Sequence, residues 1–166
     1  MATAEDVIES ALAEQGLVWE RVAPKTFAVA LPGERRLKTA CILTVGTHAL
    51  EIEAFVMREP DENADRVHTW LLQRNARMYG VAFSIDSVGD IYLAGRVPLA
   101  AVSADELDRV LGAVLEYADG SFNLLIEMGF GSSIRREWAW RLKNHQPTQN
   151  LAAFTRLRPA EDLDSA

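Results

Sequence analysis

The tightest constraint on this chain is the stretch from Phe27 to Val56, where apolar residues return at every second position. Phe27, Val29 and Leu31 alternate up to a break at Pro32-Gly33, and Leu50, Ile52, Ala54 and Val56 alternate again after a Thr-, Ile-, Leu- and Val-rich run from Lys38 to Val45. A period of two puts those apolar side chains on one face of a pleated strand and leaves Glu51 and Glu53 on the other. Gly46-Thr47-His48 separates the last two runs as a hairpin turn. These segments predict an antiparallel sheet with one wet face.

The flanking patterns are helical. From Ala4 to Gln15, Val7, Ile8, Ala11 and Leu12 share one helical face, with Thr3 as cap and Gly16 as stop. Leu17 to Val22 reads as a strand before a turn at Pro24-Lys25. Glu59-Pro60-Asp61-Glu62-Asn63 announces a second helix reaching about Tyr79, with Val67, Trp70, Leu71 and Met78 along one side. Val81, Phe83 and Ile85 then alternate into a second hairpin that turns at Ser87-Val88-Gly89-Asp90 and returns through Ile91 and Leu93. Ser103 and Glu106 match a capping box, and Leu107, Val110, Leu111, Val114 and Leu115 open a long helix, with a kink expected near Asp119-Gly120. Gly129-Phe130-Gly131 interrupts this pattern, and Ile134, Trp138 and Leu142 resume it. Leu151, Phe154 and Leu157 suit one more docked turn. The chain reads as one domain over residues 1–158, followed by a mobile acidic tail over 159–166. Runs of antiparallel strands with helices between them make an α+β layer, because a doubly wound parallel sheet needs a regular βα alternation that is absent here.

Chemistry leaves few marks. Gly129-Phe130-Gly131-Ser132-Ser133-Ile134 looks at first like a dinucleotide fingerprint, but Ile134 stands where the third glycine belongs and a helix, not a strand, precedes it. Helix stop and restart is the better reading. His48, His68 and His145 have no metal-site spacing, and Cys41, the single cysteine, lies within an apolar strand. No nucleophile elbow, P-loop or kinase signature appears, so neither a catalytic residue, a metal nor a cofactor is expected. A net charge of −7 repels nucleic acid and anionic membranes. The acidic N-terminus lacks the features of a signal peptide, and no apolar run is long enough for a membrane span, which together predict a cytoplasmic protein.

Two groups of residues suggest binding. Trp138 and Trp140 are about 200° apart on a helix, so if Trp138 joins Ile134 and Leu142 in the core, Trp140 faces elsewhere beside Arg136. Trp and Arg together are enriched at interface hot spots. Arg35 and Arg36, in the Glu34-Arg35-Arg36-Leu37-Lys38 loop, offer guanidinium forks to an acidic partner, against the plainer reading of a solvated loop. An alternative is a small-molecule sensor or minor enzyme with an anion pocket between sheet and helices, built from Arg74, Arg77, Tyr79 and Arg96.

The strings "LPGERRLKT", "EAFVMREPDEN", "LLQRNARMYGVAFSIDSVGDIYLAGR" and "GFGSSIRREWAWR" closely resemble actinobacterial members of the YbjN domain family, over roughly Glu5 to Phe154. The resemblance implies a fold like that of type III secretion chaperones, in which helices pack on a twisted antiparallel sheet and the domain commonly dimerises. The family is described as a sensory transduction regulator, a label that names no ligand or mechanism. Composition, motifs and resemblance together predict a non-catalytic protein-interaction or regulatory module, homodimeric, with a protein partner and neither nucleic acid nor membrane.

Overall fold

In the computed structural model, which describes residues 1–160, the predicted alternation becomes a six-stranded sheet with every neighbouring pair antiparallel. The elements are α1 (Ala4–Glu14), β1 (Val18–Ala23), β2 (Thr26–Pro32), β3 (Lys38–Val45), β4 (Ala49–Met57), α2 (Ala64–Asn75), β5 (Val81–Ile85), β6 (Ile91–Pro98) and α3 (Ala104–Lys143), with 3-10 segments at Leu99–Ala101 and Gln149–Leu157. The spatial order is β1-β2-β3-β4-β6-β5, so α2 leads to the far edge strand and the β5–β6 hairpin turns back against β4. The acidic residues Glu161, Asp162 and Asp164 of the expected tail lie outside the described residues.

One face of the sheet carries the core. Phe27, Val29, Leu31, Cys41, Leu43, Leu50, Ile52, Ala54, Val56, Ile91 and Leu93 are buried there against Ile8 and Leu12 of α1, Val67 and Leu71 of α2, and Leu107, Val110, Leu111, Val114 and Leu125 of α3. Burial is deepest where the period-two and helical patterns meet. Desolvation of Cys41 pushes its thiol pKa up to about 12, so it behaves as a small hydrophobe.

The helix starts differ from expectation in one detail. Thr3 forms a full capping box, accepting from the Asp6 amide while Asp6 accepts from the Thr3 amide. Ser103 accepts from the Glu106 amide at 3.1 Å, but Glu106 does not return the bond. Its carboxylate instead meets the Tyr79 hydroxyl at 2.7 Å and Arg109 at 2.6 Å. A tertiary partner has outcompeted the local one. α2 also ends at Asn75, four residues short of Tyr79, as the chain turns toward β5.

The long helix passes straight through Asp119-Gly120 and departs from helical geometry at Phe130 instead (φ −136°, ψ 19°). The break sits where a neighbouring loop can satisfy it. The freed Gly129 carbonyl accepts from the Asp61 and Glu62 amides at 3.0 and 3.1 Å, and Met128 accepts from Asn63 Nδ2 at 2.9 Å. On the other side of the break, Ser132 donates its amide (2.6 Å) and hydroxyl (2.7 Å) to Glu62. Those two bonds, the amide first, hold the Glu62 carboxyl below the usual carboxylate range. Gly129 sits at a close approach: a Cβ there would stand 3.0 Å from Pro60 Cβ and 3.2 Å from Met57 Cε, tight enough that these neighbours would have to move by a few tenths of an ångström. The glycine-serine string is a helix break serviced by the β4–α2 loop.

A second carboxylate fastens the β2–β3 loop. Asp119 on α3, 7% exposed, accepts from the main-chain amides of Arg35 and Arg36, each at 2.9 Å. Burial raises its pKa, but the amides of Arg36, Glu34 and Arg35 and the Arg35 charge more than offset this, and the net shift is downward. A Cβ on Gly33 would fall 2.4 Å from Asp119 Oδ1, so the cradle closes only around glycine.

Two stability predictions follow from this packing. Gly120→Ala meets no atom within 4 Å and is expected to stabilise by about 0.5–1 kcal/mol, whereas Gly129→Ala should destabilise by about 1–3 kcal/mol through overpacking; urea denaturation reads both. Asp119→Ala leaves buried amides unpaired and should cost about 3 kcal/mol at neutral pH. Because the folded-state pKa lies below the unfolded one, that contribution is complete above the unfolded carboxyl value near pH 4 and is lost as pH falls through the folded value. The gap between wild type and Asp119→Ala should therefore close in acid and stay constant from about pH 5 to 8.

Candidate functional site

An open sheet has two edges, and a row of unpaired main-chain groups on either one is a template for another strand. The edges of this sheet are treated differently. On β5, Phe83 stands opposite Leu93, and both its main-chain groups are taken by one side chain: the Phe83 amide donates to Asn75 Oδ1 at 2.7 Å and Asn75 Nδ2 donates to the Phe83 carbonyl at 3.1 Å. The carboxamide at the end of α2 stands in for a neighbouring strand. On β1, no hydrogen bond among the described residues reaches the main chain of Val18–Ala23 apart from the ladder to β2. Val18 (75% exposed) and Val22 (53%) remain in solvent along that edge. Arg21 is occupied, with its guanidinium on Glu9, on the Pro24 carbonyl and over the Phe27 ring.

The sheet face away from the helices is uncovered. It presents Ala28, Ala30, Ala40 and Ile42 beside β1, then Glu51, Glu53, Ala94 and Arg96 further along. Small side chains leave a shallow trough of about 480 Å³ running in from the open edge.

The part of α3 beyond Phe130 forms an arm with the Gln149–Leu157 segment folded back on it. Trp138 Nε1 donates to the Phe154 carbonyl at 2.9 Å, Leu151 and Leu157 are buried, and Arg156 pairs with Glu127 at 2.6 Å. Trp138 is 2% exposed and Trp140 is 54% exposed, the division that their angular separation predicts.

The residues singled out in sequence fall in separate places. Arg36 is turned inward: its Nη1 donates to the Phe55 and Val56 carbonyls (2.9 and 2.8 Å), and its guanidinium lies over the Phe55 and Phe122 rings. The β3–β4 ladder ends at Cys41–Ala54, and Arg36 takes over the carbonyls just beyond it. Arg35 points its side chain to solvent while its amide is held by Asp119, and Arg136 donates to Ser133 Oγ on the arm, four residues from Trp140. The four residues of the anion-pocket alternative do not converge. Arg74 and Arg77 border a shallow depression on α2 with Trp70 and Gln73. Tyr79 is bonded to Glu106. Arg96 pairs with Glu51 at 3.6 Å on the uncovered face, so the sheet itself separates it from α2. Periodicity assigns residues to faces but cannot tell which side of a sheet a helix end reaches.

Asp119 and Glu62 were not legible as partners because each acts on main-chain groups 70 or more residues away, and Asn75 because its partner Phe83, eight residues on, comes within reach only when the chain turns from α2 into β5. Among the described residues no group of three His, Cys, Asp or Glu side chains could hold a metal, and no helix is long and apolar enough to cross a membrane.

Comparison with known proteins adds to this geometry. In solved structures the fold resembles a chain of the heterodimeric ExoU–SpcU complex from the type III secretion system of Pseudomonas aeruginosa (TM-score 0.56, 18% identity, 75% of this chain and 98% of that one). It also resembles chains of the ExsC–ExsE complex (0.53, 16%, 74% and 92%) and the HopA1–SchA chaperone–effector complex (0.51, 15%, 70% and 90%). At these identities the likeness establishes a chaperone-like α+β fold. In sequence, proteins of Mycobacterium tuberculosis and Mycobacterium bovis are each 52% identical over 164 residues, covering 96% of this chain and 90% of theirs. A Mycobacterium leprae protein is 54% identical over 129 residues, 78% of this chain and 70% of its own. Residues 4–127, the sheet with its helical cover up to the break in α3, match the model described as "YbjN: Putative bacterial sensory transduction regulator", and the chain belongs to that family.

Proposed function

We propose that this chain is a non-catalytic protein-interaction or regulatory module of the cytoplasm that works as a homodimer and receives a partner at the open β1 edge. The observation that carries this reading is the contrast between the two edges. A carboxamide closes β5, while β1 keeps its main-chain groups free beside Val18 and Val22. Strand addition supplies affinity through the main chain, and the adjoining trough of Ala28, Ala30, Ala40 and Ile42 accepts alternate side chains. The resemblance to chains solved in complexes with other proteins agrees with this use of the fold. Exposed Leu72 on α2 and Ile85 on β5, elements that pack on one another, offer apolar surface for a second copy. Arg35 stands in solvent on the loop that follows β2 as a further candidate contact.

Lysines at Val18 and Val22 block an edge without touching the core. Val18→Lys/Val22→Lys should fold normally and lose partners that wild type retains in quantitative affinity capture; an unchanged capture profile would remove the edge from the function. Sedimentation should give a dimer, and a monomer at all concentrations would end that part of the proposal. Asn75→Ala should lower stability by about 1–2 kcal/mol through the loss of two main-chain bonds. It should also add concentration-dependent association, read by light scattering, as the second edge becomes free.

A further inference from the structure

The charge of this protein is segregated. Between Phe130 and Arg158 there are six basic residues and one acidic residue, a net of +5, so the remainder of a chain of net −7 carries −12. This basic portion is the arm, which lies beyond the stretch matched by the family model. Burial on the arm sorts its residues into faces: Ile134 and Trp138 are buried, while Arg135, Arg136, Ala139, Trp140, Lys143 and Asn144 are exposed. The exposed set follows the spacing i, i+1, i+4, i+5, i+8, i+9, which is one continuous stripe of about 14 Å.

The stripe contains three cations, one tryptophan and no carboxylate. Glu137, the single acid of the arm, is tied to Arg141 at 2.5 Å on the neighbouring face. Among the described residues Arg135 and Lys143 make no ion pair or hydrogen bond, and Arg136 makes only its bond to Ser133 Oγ. Elsewhere Arg21, Arg58 and Arg109 have carboxylate partners. Arg66, Arg74 and Arg77 of α2 have no ion pair among the described residues, but the tryptophan beside them, Trp70, is half-buried against Phe83 and leaves no exposed ring of the kind Trp140 presents. Arg135 and Arg136 feel the Glu62 carboxylate, and Arg136 that of Asp61, across the β4–α2 loop. Among the described residues, however, no carboxylate stands within ion-pair distance of the stripe, and its three cations lie on the same face as exposed Trp140.

We propose that this stripe binds an acidic segment of a partner protein, with carboxylates on Arg135, Arg136 and Lys143 and an apolar side chain against Trp140. The inference rests on the reading of the chain as a protein-binding module and adds a second surface and the chemistry of what it takes. Charge complementarity selects an anion, and its dimensions select the class. Three cations over one helical face fall short of the extended one-signed patch that a nucleic acid needs, and the −12 of the remaining chain repels a long polyanion. A membrane-bound helix needs a broad apolar face, whereas here Ile134 and Trp138 are committed to the core and the stripe keeps only Ala139 and Trp140. A short acidic peptide with an apolar anchor matches both the charge and the single exposed tryptophan.

The test is a titration of the full-length protein into a fluorescently labelled peptide of Glu, Leu and Phe, followed by anisotropy. Controls are the same peptide with Gln for Glu, vesicles of phosphatidylserine and phosphatidylcholine, and single-stranded DNA. Saturable binding is expected for the Glu peptide alone, weakening as salt rises from about 0.05 to 0.5 M. It should fall by about tenfold or more in Arg135→Glu/Arg136→Glu/Lys143→Glu and in Trp140→Ala. All of these positions are solvent-facing, and melting curves verify that the variants fold. Absence of saturable binding, binding indifferent to these substitutions, or tighter binding of vesicles or DNA through the same residues would overturn the proposal. Val18→Lys/Val22→Lys should bind the peptide like wild type, so a failure of the β1 edge leaves the stripe standing and a failure of the stripe leaves the edge.

Discussion

A sheet whose strands alternate apolar and polar residues must be roofed on one side only, and in this protein the part of α3 before its break at Phe130 supplies much of that roof, with α1 and α2 beside it. A long helix presents its apolar stripe to the sheet but has no side chains in register with the loops that pass its flanks. Carboxylates resolve this. Asp119 receives the amides of the β2–β3 loop, and Glu62 reaches from the β4–α2 loop to the amide and hydroxyl of Ser132. Both contacts couple an acidic side chain to main-chain donors that would otherwise lose their water, so each is worth more than an exposed ion pair. The orientation of the helix over the sheet depends on these fastenings.

The same logic explains why the helix bends where it does. Glycines at 112 and 120 weaken a helix locally, yet the helix runs through both positions with helical backbone geometry. At Phe130 the loop from Asp61 to Asn63 supplies donors for the freed carbonyls and an acceptor for the freed amide, and Arg58 covers the Phe130 ring at 4.2 Å. A helix breaks where its main chain can be paid back. The bend divides the helix into a segment that roofs the sheet and an arm beyond it.

The two candidate surfaces thus have different origins. The open β1 edge belongs to the sheet, within the part of the chain shared with the family model, and offers main-chain hydrogen bonds. The basic stripe belongs to the arm and offers charge and an aromatic ring.

Periodicity was sufficient for the sheet and for the division of labour between Trp138 and Trp140, since faces of strands and helices are set by 2.0- and 3.6-residue repeats that a single sequence displays. It also located the core residues and the hairpins, because burial and turn chemistry act locally. It could not place Arg36, whose guanidinium turns inward onto carbonyls 19 and 20 residues away, nor separate Arg96 from Arg74 and Arg77 across the sheet. It could not foresee that Glu106 would leave its cap for Tyr79, or that Asn75 would close one edge while the other stayed open. Those outcomes depend on which main-chain groups meet which side chains once the elements pack, a three-dimensional matching of donors and acceptors that no linear repeat encodes.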